Sequence, residues 1–109
     1  MKIVTPDGRY FVVKGQLWRC SNPSLTEELR QKLVSELMAA RREVKEAKAS
    51  QDTSRMKHAR ERVQKAKVAL GERGPVWWID GSPDLNRHRV SKSPYAAWFS
   101  TVPERANKD

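Results

Sequence analysis

The densest group of residues able to do chemistry follows a pair of tryptophans. Trp77 and Trp78 lead into Asp80, Asp84, Asn86, Arg87 and His88. Two carboxylates and an imidazole at this spacing could hold a metal or exchange protons. The spacing matches none of the motifs whose geometry would make that chemistry specific. There is no His-Glu-x-x-His, phosphate loop, Gly-x-Ser-x-Gly or cysteine pair. Turn chemistry accounts for the same residues. Asp80-Gly81 is a turn, Asp84 falls in the first turn of a helix opened by Ser82-Pro83, and Arg87 bridges to a carboxylate. Because Trp77 and Trp78 are adjacent, a strand would point them to opposite faces, leaving one free for contact.

The second candidate is electrostatic. Residues 41–67 hold ten cationic side chains and four acidic ones. The cations are Arg41, Arg42, Lys45, Lys48, Arg55, Lys57, Arg60, Arg62, Lys65 and Lys67. Such a stripe can neutralise the phosphates of a nucleic-acid backbone, with strong salt dependence. A solvated helical face that keeps a long hairpin in solution would carry the same charges. Arg55 and Lys57 stand near a helix start, where positive charge is mildly unfavourable, so helix stability alone does not place them there. His58 lies among these cations and reads as a surface residue, and Cys20 as a small apolar strand residue.

The elements that must position these groups are legible from local patterns. Ile3-Val4-Thr5, Pro6-Asp7-Gly8 and Arg9 to Val13 form a hairpin signal: Pro fixes φ, Asp bonds the local backbone, and Gly takes a positive φ. Lys14-Gly15 then precedes Gln16 to Cys20, giving a three-stranded meander unless Gly15 is a bulge in one longer strand. Ser24 and Glu27 fit a capping box for a helix over 25–49. Its apolar positions are 25, 29, 33, 37, 40, 44 and 47. A turn at 50–54 leads to a second stripe at 56, 59, 63, 66 and 70, closed by Gly71. Folding the chain near residue 51 pairs 47 with 56, 44 with 59, 40 with 63, 37 with 66 and 33 with 70. Small residues then face larger ones in four of these five layers, which suits a close antiparallel seam. Val34 and Met38 form a second apolar edge that must meet the rest of the chain or another copy of it. Beyond the hairpin, Val76 to Ile79 reads as a short strand. Ser82-Pro83 and Ser93-Pro94 open short helices over 83–87 and 94–101. All eight aromatics lie outside the hairpin, so most of them read as a shared core.

Composition narrows the classes. The chain has 109 residues and a formal net charge of +9, with 38% hydrophobic and 32% charged residues. That is one domain over 1–102, with a polar tail over 103–109 expected to fray. The charge directs attention to nucleic acid or an acidic protein as partner. No run of 18 apolar residues could span a bilayer, and no signal-peptide pattern opens the chain. A single cysteine excludes an internal disulfide or a multi-cysteine metal site and fits a reducing cytoplasm.

The segment Gly71-Glu72-Arg73-Gly74-Pro75-Val76-Trp77-Trp78, continuing through Asp80-Gly81, Pro83-Asp84 and Asn86-Arg87, resembles a pattern of small bacterial proteins of unassigned function. Gly15 to Arg19, Ser21-Asn22-Pro23 and Glu36 to Arg42 fit the same pattern. The resemblance implies a single-domain bacterial protein and brings no activity, substrate or catalytic residue.

The expected fold is therefore α+β: a short antiparallel sheet, a long antiparallel helical hairpin and a Trp-rich C-terminal segment with a short helix. The leading functional reading is a non-enzymatic binding protein, without cofactor or metal, whose basic hairpin engages nucleic acid. The alternative is a protein-interaction or self-association module that uses the hairpin as a coiled-coil surface, with a homodimer as one form. A small enzyme or ligand-binding protein built on Trp77, Trp78, Asp80, Asp84, Arg87 and His88 is the third.

Overall fold

A computed structural model describes residues 2–103. The fold is α+β, and its contacts divide the chain into a sheet unit, Met1–Cys20 with Trp78–Asp109, and a helical unit, Ser21–Trp77.

In the sheet unit, β1 (Ile3–Val4), β2 (Tyr10–Val13) and β3 (Gln16–Arg19) form an antiparallel meander in chain order. The first turn is closed by the Gly8 N–H donating to the Thr5 carbonyl at 2.9 Å, with Gly8 at φ +75°. Asp7 Oδ1 accepts from the Thr5 hydroxyl at 2.7 Å and from the Arg9 N–H at 3.1 Å. Lys14 and Gly15 both have positive φ, 51° and 77°, between the paired residues Val13 and Gln16. This two-residue turn matches the twist of its flanking strands, so Gly15 is in a turn and not a bulge. Strand alternation then sorts the side chains. Tyr10, Val12, Leu17 and Arg19 are buried on one face, while Phe11, Val13, Gln16 and Trp18 are half-buried on the other.

The buried face is covered by the C-terminal segment. The Tyr10 ring meets Trp78 and Tyr95 edge-on, with centroids 5.7 and 5.8 Å away. Residues 87–90 extend the sheet beyond β3. The Leu17 N–H donates to the His88 carbonyl at 2.9 Å, and the Arg87 N–H donates to the Leu17 carbonyl at 2.7 Å.

Two expected elements are absent here. Val76 to Ile79 is not a strand, because the Trp78 indole N–H donates to the Ser82 carbonyl at 2.8 Å and closes a loop that leaves Ile79 fully exposed. Residues 83–87 are not a helix, so Asp84 is not at a helix start. The backbone N–H of Leu85 donates to the Tyr10 hydroxyl at 2.8 Å, and that of Arg87 to β3, which removes them from any helical ladder. The Ser93-Pro94 helix is shorter than expected. A 3-10 turn over Val90–Lys92 precedes α3 (Ala96–Phe99), and the Ser93 hydroxyl accepts from the Tyr95 N–H at 3.1 Å. Of the tail expected over 103–109, Pro103 is exposed and residues 104–109 lie outside the described residues.

The helical unit is a pair of packed helices, α1 (Glu27–Ala49) and α2 (Thr53–Leu70). The N-cap of α1 is Thr26, whose hydroxyl accepts from the Leu29 N–H at 3.2 Å. The expected capping box at Ser24 does not form. Asn22 Oδ1 accepts from the Ser24 N–H at 2.9 Å, which holds 22–25 in a turn of its own. Asp52 caps α2, and Gly71 ends it at φ +87°. Only glycine suits that position. A Cβ there would lie 3.0 Å from both Asn22 Cβ and Trp77 Cδ1, in a conformation L residues avoid. The seam buries Leu33, Leu37, Ala40 and Ala47 against Ala59, Ala66 and Leu70. Leu33, Leu37, Ala66 and Leu70 form one cluster, as the 33/70 and 37/66 layers require. Leu29 departs from the expected stripe and is exposed, whereas Leu25 packs partly against the cluster. Val34 also packs against it, while Met38 remains exposed.

Candidate nucleic-acid interface

The hairpin sorts its charges by geometry. Successive helical residues turn about 100°, so each helix presents two flanks, one on either side of its seam. On α1, Glu36, Glu43 and Glu46 occupy one flank, and Arg41, Lys45 and Lys48 the other. On α2, Arg55, Arg62 and Lys65 occupy one flank, and Lys57, Arg60 and Lys67 the other. Antiparallel packing decides which flanks meet, and the contacts identify the match. The Arg55 guanidinium lies 2.7 Å from Glu43 and 3.5 Å from Glu46. Glu36 shares a groove of about 370 Å³ with Arg62 and Lys65. The first side of the hairpin is therefore mixed in sign. The second side carries Arg41, Lys45, Lys48, Lys57, Arg60 and the half-buried Lys67, with Glu61 at its outer edge on α2, one turn from Lys57.

Arg55 now has a physical reason for its place. Its repulsion from the start of α2 is offset by Glu43 and Glu46 on α1, and the Glu43 hydrogen bond raises its pKa above the usual arginine value. It functions as a tie between the helices. Arg42 lies on the outer pole of α1, away from the seam. The remaining five, Arg41, Lys45, Lys48, Lys57 and Arg60, are all exposed. At 1.5 Å rise per residue, they fall within about 10 Å of helix length. Lys57 and Arg60 also line a shallow concavity of about 610 Å³ on α2 with Met56, Glu61, Gln64 and Lys65, so its charge is mixed.

The polar run after the tryptophans is a brace. Trp77 belongs to the helical unit, beside Gly71, and Trp78 to the sheet unit, under the Arg9 guanidinium at 4.9 Å. Asp80 accepts from the Ser82 N–H at 3.0 Å and pairs with Arg9. The Ser82 bond and the Arg9 pair hold its carboxyl down at about 2. Asp84 binds Arg19 at 3.2 Å, and its other oxygen accepts from the Asn86 N–H at 3.0 Å. Asn86 Oδ1 accepts from the Arg19 N–H at 2.9 Å. Arg87 does not bridge to a carboxylate. Its guanidinium sits 5.7 Å over the Trp18 ring, on a backbone at φ +73°. His88 is exposed, and its carbonyl serves the sheet. Among the described residues, no three His, Cys, Asp or Glu side chains gather to hold a metal. No described helix is long and apolar enough to cross a membrane.

No protein-family model, curated protein or solved structure matches the chain.

Proposed function

We propose that the chain is a small non-enzymatic protein that binds the backbone of nucleic acid through the cation-rich side of its helical hairpin. One observation carries the reading: Arg41, Lys45, Lys48, Lys57 and Arg60 share a side whose nearest acid along the distal hairpin is Glu61 at its edge, while Glu36, Glu43 and Glu46 of α1 lie on the opposite side. A surface shaped only by solubility has no need to separate the two. Contacts to phosphate carry no sequence information, so binding is insensitive to base order. Five phosphate contacts give a salt slope of about −4.5 on duplex DNA, a loss of about 500-fold between 50 and 200 mM salt.

The test is a titration of duplex DNA and RNA at those two salt concentrations with two triple variants. R41Q/K45Q/R60Q removes charge from the cation-rich side and should lower affinity and flatten the slope. R55Q/R62Q/K65Q removes equal charge from the mixed side and should leave more of both. Equal losses from the two would show that only net charge matters and would overturn the assignment.

A further inference from the structure

The sheet unit carries a second surface of different chemistry. Val4, Phe11 and Trp18 form one row across β1, β2 and β3, since Val4 pairs with Phe11 and Phe11 with Trp18. This row lies on the face opposite the buried core. Directly opposed residues on neighbouring strands have their Cβ atoms about 5 Å apart, so Phe11 and Trp18 rise from neighbouring points of one face. Cations surround them. Lys2 Nζ sits 4.4 Å over the Phe11 ring, and the Arg87 guanidinium 5.7 Å over Trp18. Arg89 is the bridge partner of Gln16, which places it on the same face.

We propose that this face is a stacking platform for the bases of single-stranded nucleic acid, with Phe11 and Trp18 holding bases and Lys2, Arg87 and Arg89 meeting phosphates. It is a surface distinct from the basic side of the hairpin, and the inference does not rest on that reading. Three features select this occupant. The first is the pairing of two aromatic residues in one cross-strand row with a cation over each, which answers the two halves of a nucleotide: a flat apolar base and an anionic phosphate. The second is where the acids go. Among the described residues of the sheet unit the acids are Asp7, Asp80 and Asp84. They are engaged by Tyr95, Arg9 and Arg19, so none of them neutralises this face. The third is the backbone of Arg87. It keeps an unfavourable positive φ, fixed on both sides: its N–H donates to the Leu17 carbonyl at 2.7 Å, and its carbonyl accepts from the Gln16 side chain at 2.9 Å. The guanidinium is therefore free to swing off the ring while its anchor stays still. An entering base takes the ring face, and the displaced cation turns to the adjoining phosphate. A duplex keeps its bases stacked inside and cannot use these rings.

The experiment is fluorescence anisotropy with a labelled eight-nucleotide oligo(dT) and an abasic oligomer of the same length. The abasic strand should bind much more weakly, because it offers phosphate without a base. F11L/W18L removes both rings and keeps apolar bulk. It should weaken oligo(dT) binding about 100-fold, at about tenfold per ring, and leave duplex binding unchanged. F11Y/W18F keeps aromatic rings and should stay near wild type, so the comparison holds even where the leucine variant does not fold. K2Q/R87Q should flatten the single-strand salt slope by about 1.4. Equal affinity for the two oligomers, or full affinity in folded F11L/W18L, overturns the proposal. Oligo(dT) binding that R41Q/K45Q/R60Q abolishes assigns the strand to the hairpin and also overturns it.

Discussion

Replacing Asp84 by Asn should unfold the sheet unit more easily, and the structure sets the scale. The Arg19 side chain is fully buried, whereas Asp84 is about half exposed, at 45% of its side-chain surface. The pair is therefore asymmetric. Water cannot reach Arg19 to replace a lost carboxylate, but it can solvate Asp84 when Arg19 is removed. A hydrogen bond to a charged group contributes about 1.5–3 kcal/mol, and the exposure of Asp84 places this one toward the lower end. Asp84→Asn keeps the acceptor that holds the Asn86 N–H, so the loss isolates the charge. The expected cost is about 1.5–2 kcal/mol, or a fall in Tm of roughly 10 °C for a domain of this size. Circular-dichroism melts and urea titrations would measure it. Arg19→Gln should cost at least as much because it also empties core volume. The double variant should fall short of the sum by about 1 kcal/mol, as expected of residues in direct contact. Additive losses, or a change under 0.5 kcal/mol in Asp84→Asn, would refute the bracing role and return Asp84 to consideration as a ligand group.

Two further outcomes follow from the packing and the charges. Ala40 is completely buried in the helix seam, so Ala40→Leu should overpack it and cost about 1–3 kcal/mol in denaturant unfolding. Adding Val63→Ala should recover part of the loss, and strictly additive losses would disprove the 40/63 layer. Stability should also fall in acid. The Ser82 bond and Arg9 hold Asp80 at about 2, below its ordinary 3.8. Burial raises the Asp7 carboxyl, but hydrogen bonds from Tyr95 and Thr5 bring it below its usual value. Depressed carboxylates contribute fully above about pH 4, and the contribution is lost as pH falls toward 2. Thermal melts across that window should show the decline, and Asp80→Asn should make it shallower.

What the sequence determined by itself was local. Pro6-Asp7-Gly8, the Lys14-Gly15 turn, the Asp52 turn and the Gly71 cap each rest on bonds spanning five residues or fewer, and their residue types announce them. The two heptad stripes were legible for the same reason, since helix periodicity needs no knowledge of the partner. The misses have a common cause. Residues 83–87 look like a helix start, but Tyr10 and Leu17 take their backbone groups from about 70 residues away. Arg87 suggests an ion pair, yet β3 places it over Trp18. The aromatic row was readable in principle, because Tyr10-Phe11-Val12 and Leu17-Trp18-Arg19 alternate. Which face of that alternation becomes core depended on the C-terminal segment covering it. The separation of hairpin charge has the same status. Each helix encodes two flanks, but the antiparallel packing of α1 and α2 brought Arg55 against Glu43 and Glu46 on one side and left the other rich in cations. Local bonds form within a window of sequence, whereas a face becomes core, brace or binding surface only when chain closure decides what lies against it.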